Sequence, residues 1–363
     1  MGEGLSGSPA PLDPAFWRGR RIFLTGHTGF IGGWMASVLH HFGAEIYGCA
    51  LSPPTKPSFF ALAGLEHRLV NTIADVRDRA ALKRAYVAAQ PDIVVHLAAQ
   101  PLVSVGYANP VETFETNIMG TVNLLDCVRE QGCEAVVVMT SDKVYDNPGA
   151  DNREDDRLGA RDPYGGSKVC CEIAAEVYAR SFLDKAKVPL ATVRAGNVIG
   201  GGDWAADRLI PDAVRAFHAG RPLSVRFPDA ARPWQHVLDA VHGILLVGQR
   251  TASSPPAPVA WNIGPPAGRT MTVGEVAALA ASVWGDGARV AHDGLQSFPE
   301  AKTLALDSRR IRHELGYVES WDLPHVIKRT MKWYRKALGG ADAWTLSQRQ
   351  IDDYLADAAR TCP

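Results

Sequence analysis

Several things are scarce in this chain of 363 residues, and each scarcity removes a class of function. Its six cysteines (Cys49, Cys127, Cys133, Cys170, Cys171 and Cys362) include no C-x-x-C pair and no metal-type spacing. That excludes a zinc finger and a thioredoxin-like centre, and fits scattered thiols in a reducing compartment, with packing the reading for adjacent Cys170 and Cys171. No sign of charge dominates: the formal net charge is -1 and the pI about 6.8, so nothing electrostatic calls for nucleic acid or an acidic membrane surface. No apolar run approaches the roughly 20 residues that cross a bilayer. Residues 1–17 are Gly-, Ser- and Pro-rich, read as a disordered tail, and lack the apolar core of a signal peptide, so a cytoplasmic location is expected. Gly2 and Ser6 fit a loose acylation pattern, M-G-x-x-x-S, but one acyl chain binds membranes weakly. There are no internal repeats, and the one internal low-complexity stretch is a linker at Ala252–Pro258.

What is present is apolar substance in a regular rhythm. With 46% hydrophobic residues the chain can bury a large core and form two lobes. From Arg18 onward, short apolar runs alternate with helical patterns, the mark of a parallel sheet covered on both faces. Strands are expected at Ile22–Thr25, Glu45–Cys49, Leu69–Thr72, Ile93–Leu97, Ala135–Thr140 and Leu190–Arg194. A helix is expected from Asn109, with Pro110 at its first position and Glu112 completing a cap, burying Phe114, Ile118, Val122, Leu125 and Val128 before Gly132. Beyond Arg194 the rhythm breaks into Gly- and Pro-rich segments. The expected fold is an α/β Rossmann-type doubly wound parallel sheet over 18–194, joined by a later strand near 259–263, with a smaller substrate-binding lobe over most of 195–363. Amphipathic helices at Thr272–Trp284 and Asp307–Pro363 complete that lobe.

The first strand runs into Thr25-Gly26-His27-Thr28-Gly29-Phe30-Ile31-Gly32-Gly33, and a helix follows. Glycines at 26, 29 and 32 allow a tight turn, approach of a pyrophosphate to backbone N–H groups, and close helix packing, so a dinucleotide is expected here. The ribose-binding acid expected about 20 residues later is missing. In its place stand Ser52, Thr55 and Lys56, which leaves NAD as the expectation and NADP open. Asp75 and Val76 after the third strand, and Leu97, Ala98 and Ala99 after the fourth, complete the expected cofactor wall.

The stretch from Met139 to Lys168 carries the reactive groups. It starts at the end of an apolar strand with Thr140-Ser141-Asp142-Lys143 and ends on Tyr164-Gly165-Gly166-Ser167-Lys168. Tyr164 and Lys168 are spaced i, i+4 and share a helix face. A neighbouring ammonium favours the phenolate, which makes Tyr164 a candidate general base beside the cofactor.

The glycine loop TGHTGFIG, HLAAQ (His96–Gln100), NIMGTVNLL (Asn117–Leu125), TSDKVY (Thr140–Tyr145), YGGSK and RAGNVIG (Arg194–Gly200) together resemble the extended short-chain dehydrogenase/reductases that work on nucleotide sugars. FWRGRR, TSDK, GNVIGGGDWAADRLIPD and RPWQHV are most similar to the CDP-glucose 4,6-dehydratase branch. Two positions depart from that pattern: Ile31, and Ser104-Val105 where an arginine commonly follows AAQPLV. The resemblance implies an NAD-dependent 4,6-dehydratase of CDP-glucose, with a nucleotide-sugar 4-epimerase, a dehydratase of another NDP-hexose or a non-catalytic NAD-bound interaction protein as the alternatives. The catalytic set is Ser141, Asp142, Lys143, Tyr164 and Lys168, with Asp142 assigned as acid and Lys143 as base. It implies substrate contacts from Gln100, Asn197, Trp204, Arg208, Leu209, Arg232, Gln235 and His236, with Trp234 nearby. It also implies no metal, and a homodimer or dimer of dimers through the helices at 110–131 and 163–183.

Overall fold

The protein is seen here as a computed structural model that describes residues 11–147, 149–253, 259–292 and 302–361. The first ten residues, the acylation pattern, most of the linker and Cys362 lie outside the described residues. Seven parallel strands form the central sheet: β1 (Arg21–Thr25), β2 (Glu45–Ala50), β3 (Val70–Ile73), β4 (Ile93–His96), β5 (Ala135–Met139), β6 (Leu190–Ala195) and β7 (Val259–Ile263). Their order is β7-β6-β5-β4-β1-β2-β3. The first six strands match the sequence reading to within a residue at each end, because runs such as Ala135-Val136-Val137-Val138 suit only a strand apolar on both faces. The chain winds outward from β1 to β3, then returns to the other side of β1 at β4. That reversal opens a crevice at the carboxyl ends of β1 and β4, where sheets of this type bind ligands.

The remaining residues supply shorter pieces. Val198–Ile199 pairs with Gln235–His236, Leu223–Val225 with Val290–His292, and Ala231–Arg232 with Met271–Thr272. Helices at Leu209–His218, Val273–Trp284, Arg309–Leu315, Leu323–Leu338 and Ala343–Thr361 surround them. The long helix Val237–Ser253 lies against β5, β6 and the helix Phe30–His41, so this part of the C-terminal stretch covers the sheet rather than joining the small lobe.

Two expectations need correction. The tail does not extend to residue 17: Asp13 caps a short helix, Pro14–Trp17, and Trp17 is fully buried beside Gly248. Gln249 fastens this segment by accepting from Asp13 N and donating to the Pro11 carbonyl. The helix after Asn109 forms and buries Leu125 and Val128 as expected, but the face of its first half is different. Thr113, Asn117, Gly120, Thr121 and Leu124 point inward, while Phe114 is exposed and Ile118 and Val122 are only partly covered. A π turn at Glu115–Met119 advances the phase of the helix and rotates the polar Asn117 and Thr121 toward the sheet.

Candidate active site

The crevice opens into a cavity of about 930 Å³ lined by residues from the carboxyl ends of the sheet and from the segments between Ala195 and Val273. Its cofactor side is built from the β1 turn. Gly26 has φ +78°, and a Cβ there would sit 2.7 Å from Ala98 N; one on Gly32 would sit 2.0 Å from the Gly26 carbonyl oxygen. Only glycine fits either position. Gly29 caps the helix Phe30–His41 without a side-chain bond, so the helix N-terminus faces the cavity with its amides uncapped by protein side chains. Thr28 ties this loop to the end of β2 by donating to the Leu51 carbonyl at 2.9 Å.

The Leu97-Ala98-Ala99 turn is pinned by a buried relay that sequence reasoning missed. Thr25 Oγ1 accepts from Leu97 N and Ala98 N, each at 3.2 Å, so its hydrogen goes to His96 Nδ1 at 2.7 Å. That assignment leaves the His96 proton on Nε2, facing Thr121 Oγ1 at 3.1 Å, and Thr121 donates to the Asn117 carbonyl. Burial pushes the His96 pKa down to about 3, so the ring acts as a neutral connector. Asp75 and Val76 line the cavity, with the Asp75 carboxylate held low by its bonds with Arg77.

At the end of β5, Ser141 and Asp142 are buried, and Lys143 is half-buried; all three line the cavity with Tyr164 and Lys168. Ser141 Oγ accepts from Lys143 N and donates to Asp142 Oδ1, both at 3.2 Å. Asp142 Oδ2 is buried without a partner, and Gly196 leaves it room: a Cβ there would come within 3.3 Å. Burial raises the Asp142 pKa against the opposing pull of Lys143, Ser141 and Arg232. The helix Pro163–Tyr178 presents Tyr164 in its first turn, capped by Asp162, whose carboxylate accepts from Gly165 N at 2.9 Å. Gly165 is required because a Cβ would lie 2.8 Å from the Lys143 carbonyl oxygen.

Tyr164 differs from the sequence argument in one respect. Burial pushes its phenol up to about 12, and the groups pulling it down are the Ser141 hydroxyl and Arg208. Lys168, to which the sequence assigned that pull, donates to the Met139 carbonyl at 3.1 Å and is itself lowered by burial.

Of the substrate-side candidates, Asn197, Trp204, Arg208, Leu209 and Arg232 line the cavity, as does Trp234. Arg208 Nη1 bonds Asp203 at 2.9 Å, and Arg232 is buried with Nη1 on the carbonyls of Ala231 and Lys302. Three candidates stand outside the lining. Gln100 holds its own turn, accepting from Leu102 N and donating to Thr113. Gln235 is buried with Nε2 on the Ile263 carbonyl. His236 is fully buried between the rings of Trp34 and Trp321, with its pKa lowered to about 3 by burial. The short pairing with Val198–Ile199 puts Gln235 and His236 behind the cavity wall. Conversely, Asp207 and Arg226 line the cavity and were not anticipated; a lone arginine after the apolar Leu223–Val225 strand was the only available signal. Among the described residues no cluster of metal-ligating side chains occurs.

With this geometry in view, comparison with known proteins is direct. Residues 22–264 match the model of the NAD dependent epimerase/dehydratase family. The chain belongs to that family. The family's dinucleotide suits the glycine cradle, the open helix N-terminus and the alanine turn described above. The CDP-glucose 4,6-dehydratase of Salmonella typhimurium is 41% identical over 358 residues, covering 96% of this chain and all of that protein. Among solved structures, a double mutant of DesIV, a dTDP-glucose 4,6-dehydratase from Streptomyces venezuelae with NAD bound, superposes with a TM-score of 0.74 at 26% identity, covering 88% of this chain and 98% of that one. UDP-glucose 4-epimerase from Thermotoga maritima shares the fold, with a TM-score of 0.76 at 21% identity over 87% and 99%.

Proposed function

We propose that the chain is a nucleotide-sugar 4,6-dehydratase that converts CDP-D-glucose to CDP-4-keto-6-deoxy-D-glucose. The observation that carries this reading is the placing of Asp142 and Lys143 on the same cavity wall as Ser141, Tyr164 and Lys168. Oxidation at C4 needs only the last three. A neighbouring acid and amine are what removal of water across C5 and C6 adds.

When bound, NAD+ supplies the acceptor that takes a hydride from C4 and returns it to C6. Tyr164 takes the C4 hydroxyl proton, while Ser141 hydrogen-bonds the same oxygen. Lys168 anchors this end of the site through the Met139 carbonyl. The C4 ketone acidifies C5, where Lys143 removes the proton. Asp142, whose pKa burial raises, gives its proton to the departing C6 hydroxyl, which leaves as water. Lys143 then returns a proton to C5, and electrons balance without net oxidation. Arg208 and Arg232 are the cations for the diphosphate, with Asn197, Leu209, Trp204 and Trp234 around the sugar and base.

A homodimer is part of this proposal. Val111, Met119, Ile173 and Val177 are each about half exposed or more, on the two helical stretches that run side by side at 110–131 and 163–183, and a second copy would cover them as a four-helix bundle. A cytoplasmic location is supported by the five described cysteines, all free thiols.

The test is incubation of the NAD-loaded protein with CDP-, UDP- and dTDP-glucose in deuterated water, followed by NMR. CDP-glucose should give the 4-keto-6-deoxy sugar with deuterium at C5. A 4-epimer with no keto sugar would assign an epimerase instead, and no turnover of any of the three would remove the enzymatic reading.

A further inference from the structure

The cavity holds an ion pair whose position suggests more than structural support. Asp207 precedes Arg208, the N-terminal boundary residue of the helix Leu209–His218, which makes no side-chain bond to the helix end, and the first residues of that helix line the cavity. A helix end of this kind favours an anion. The Asp207 carboxylate reaches in two directions: Oδ2 accepts from Ser104 Oγ at 2.8 Å, and Oδ1 lies 3.3 Å from Arg226 Nη1. Ser104 belongs to the helix Val103–Ala108 beside the cofactor side, whereas Arg226 follows the strand Leu223–Val225 of the small lobe. One carboxylate therefore bridges the two walls of the site. Its backbone has φ +61°, a left-handed conformation that a non-glycine residue keeps only where surrounding contacts hold it.

We propose that Asp207 is a built-in competitor for the substrate's diphosphate, holding Arg226 in the free protein and yielding it when a nucleoside diphosphate enters. This rests on the nucleotide-sugar reading above. The other cavity guanidiniums have more buried partners: Arg208, itself 31% exposed, is paired with Asp203, which is 6% exposed, and Arg232 is buried on backbone carbonyls. The Asp207–Arg226 pair is partly solvated, with side chains 44% and 32% exposed, so it is the pair most easily exchanged. A diphosphate offers Arg226 more charge and bidentate oxygens than one carboxylate does. Ser104, by holding the other carboxylate oxygen, sets how far Asp207 swings when released.

The test is calorimetric titration of the NAD-loaded full chain with CDP, UDP and dTDP, comparing wild type with D207N, S104A, R226Q and the D207N/R226Q pair. Asparagine tolerates the left-handed conformation, so D207N keeps the loop. D207N should bind the preferred nucleotide roughly two- to fivefold more tightly, the range of an exposed ion pair. S104A should move the same way by less, R226Q should weaken binding, and the gain from D207N should vanish in the R226Q background. Unchanged or weaker binding by D207N, or persistence of its gain without Arg226, would overturn the inference. Failure of all three nucleotides to bind the wild type would overturn the nucleotide-sugar reading, and this inference with it.

Discussion

A carboxylic acid can donate a proton only if it still carries one at the working pH. Burial moves the Asp142 pKa up toward that condition against the pull of Lys143, Ser141 and Arg232, and its Oδ2 is buried without a hydrogen-bond partner. Replacing it with asparagine should leave NAD binding intact and lower kcat by about 10²- to 10⁴-fold, the usual loss when a positioned proton donor is removed. Steady-state rates with NMR detection of product would check this. Tyr164, pushed to about 12 in the free protein, needs the bound cofactor's positive charge to become a base. The spectrophotometric phenol titration should therefore shift to lower pH on saturation with NAD+, and Y164F should abolish the shifting component. At this scale the gathering of Thr140–Lys143 with Tyr164 and Lys168 on one cavity wall was legible in sequence, because both stretches sit at element ends. Gln235 and His236 were not: in RPWQHV, wall-facing and wall-backing residues are both polar, and only the pairing with Val198–Ile199 separates them.

Elements matter here chiefly at their ends. The helix Pro163–Tyr178 delivers Tyr164 from its first turn, so its cap serves stability and chemistry together. D162A should cost about 1 kcal/mol of stability, read by denaturant melts, and should reduce kcat because the Tyr164 turn frays. At the glycine loop, G32A places a methyl 2.0 Å from the Gly26 oxygen, against backbone that cannot retreat. It should abolish NAD binding by fluorescence titration, or prevent folding. The central strands were readable from apolar runs alone. In the helix after Asn109, Leu125 and Val128 were readable, but the face around Phe114 and Ile118 was not, because the π turn at Glu115–Met119 leaves no mark in apolar periodicity.

Across the whole molecule two properties emerge that no single element carries. Asp239 lies fully buried where the helix Val237–Ser253 meets Ser320 and Tyr354 of the C-terminal region, accepting from Tyr354 Oη at 2.8 Å. Burial, with Glu319 adding, pushes its carboxyl up to about 7. A carboxyl that binds its proton more tightly when folded contributes stability below its unfolded pKa of about 4, and loses it as pH rises through 7. Thermal melts should therefore fall from pH 5 to pH 8, and D239N should flatten that slope. For assembly, I173D with V177D should convert a dimer to monomers in sedimentation experiments, since a charge cannot be buried in an apolar helix face. The sheet was legible in the sequence; the ordered segment before Arg18 was not, because Trp17 is buried against Gly248, far along the chain.

The central claim is that Lys143 removes the C5 proton after C4 has been oxidised. The most direct measurement is a single turnover of K143M with NAD+ and CDP-glucose, following reduced nicotinamide by absorbance and the sugar by NMR in deuterated water. The account predicts that reduced nicotinamide accumulates while no deuterium enters C5 and no 4-keto-6-deoxy sugar forms. Normal formation of the deuterated deoxysugar by K143M would contradict it.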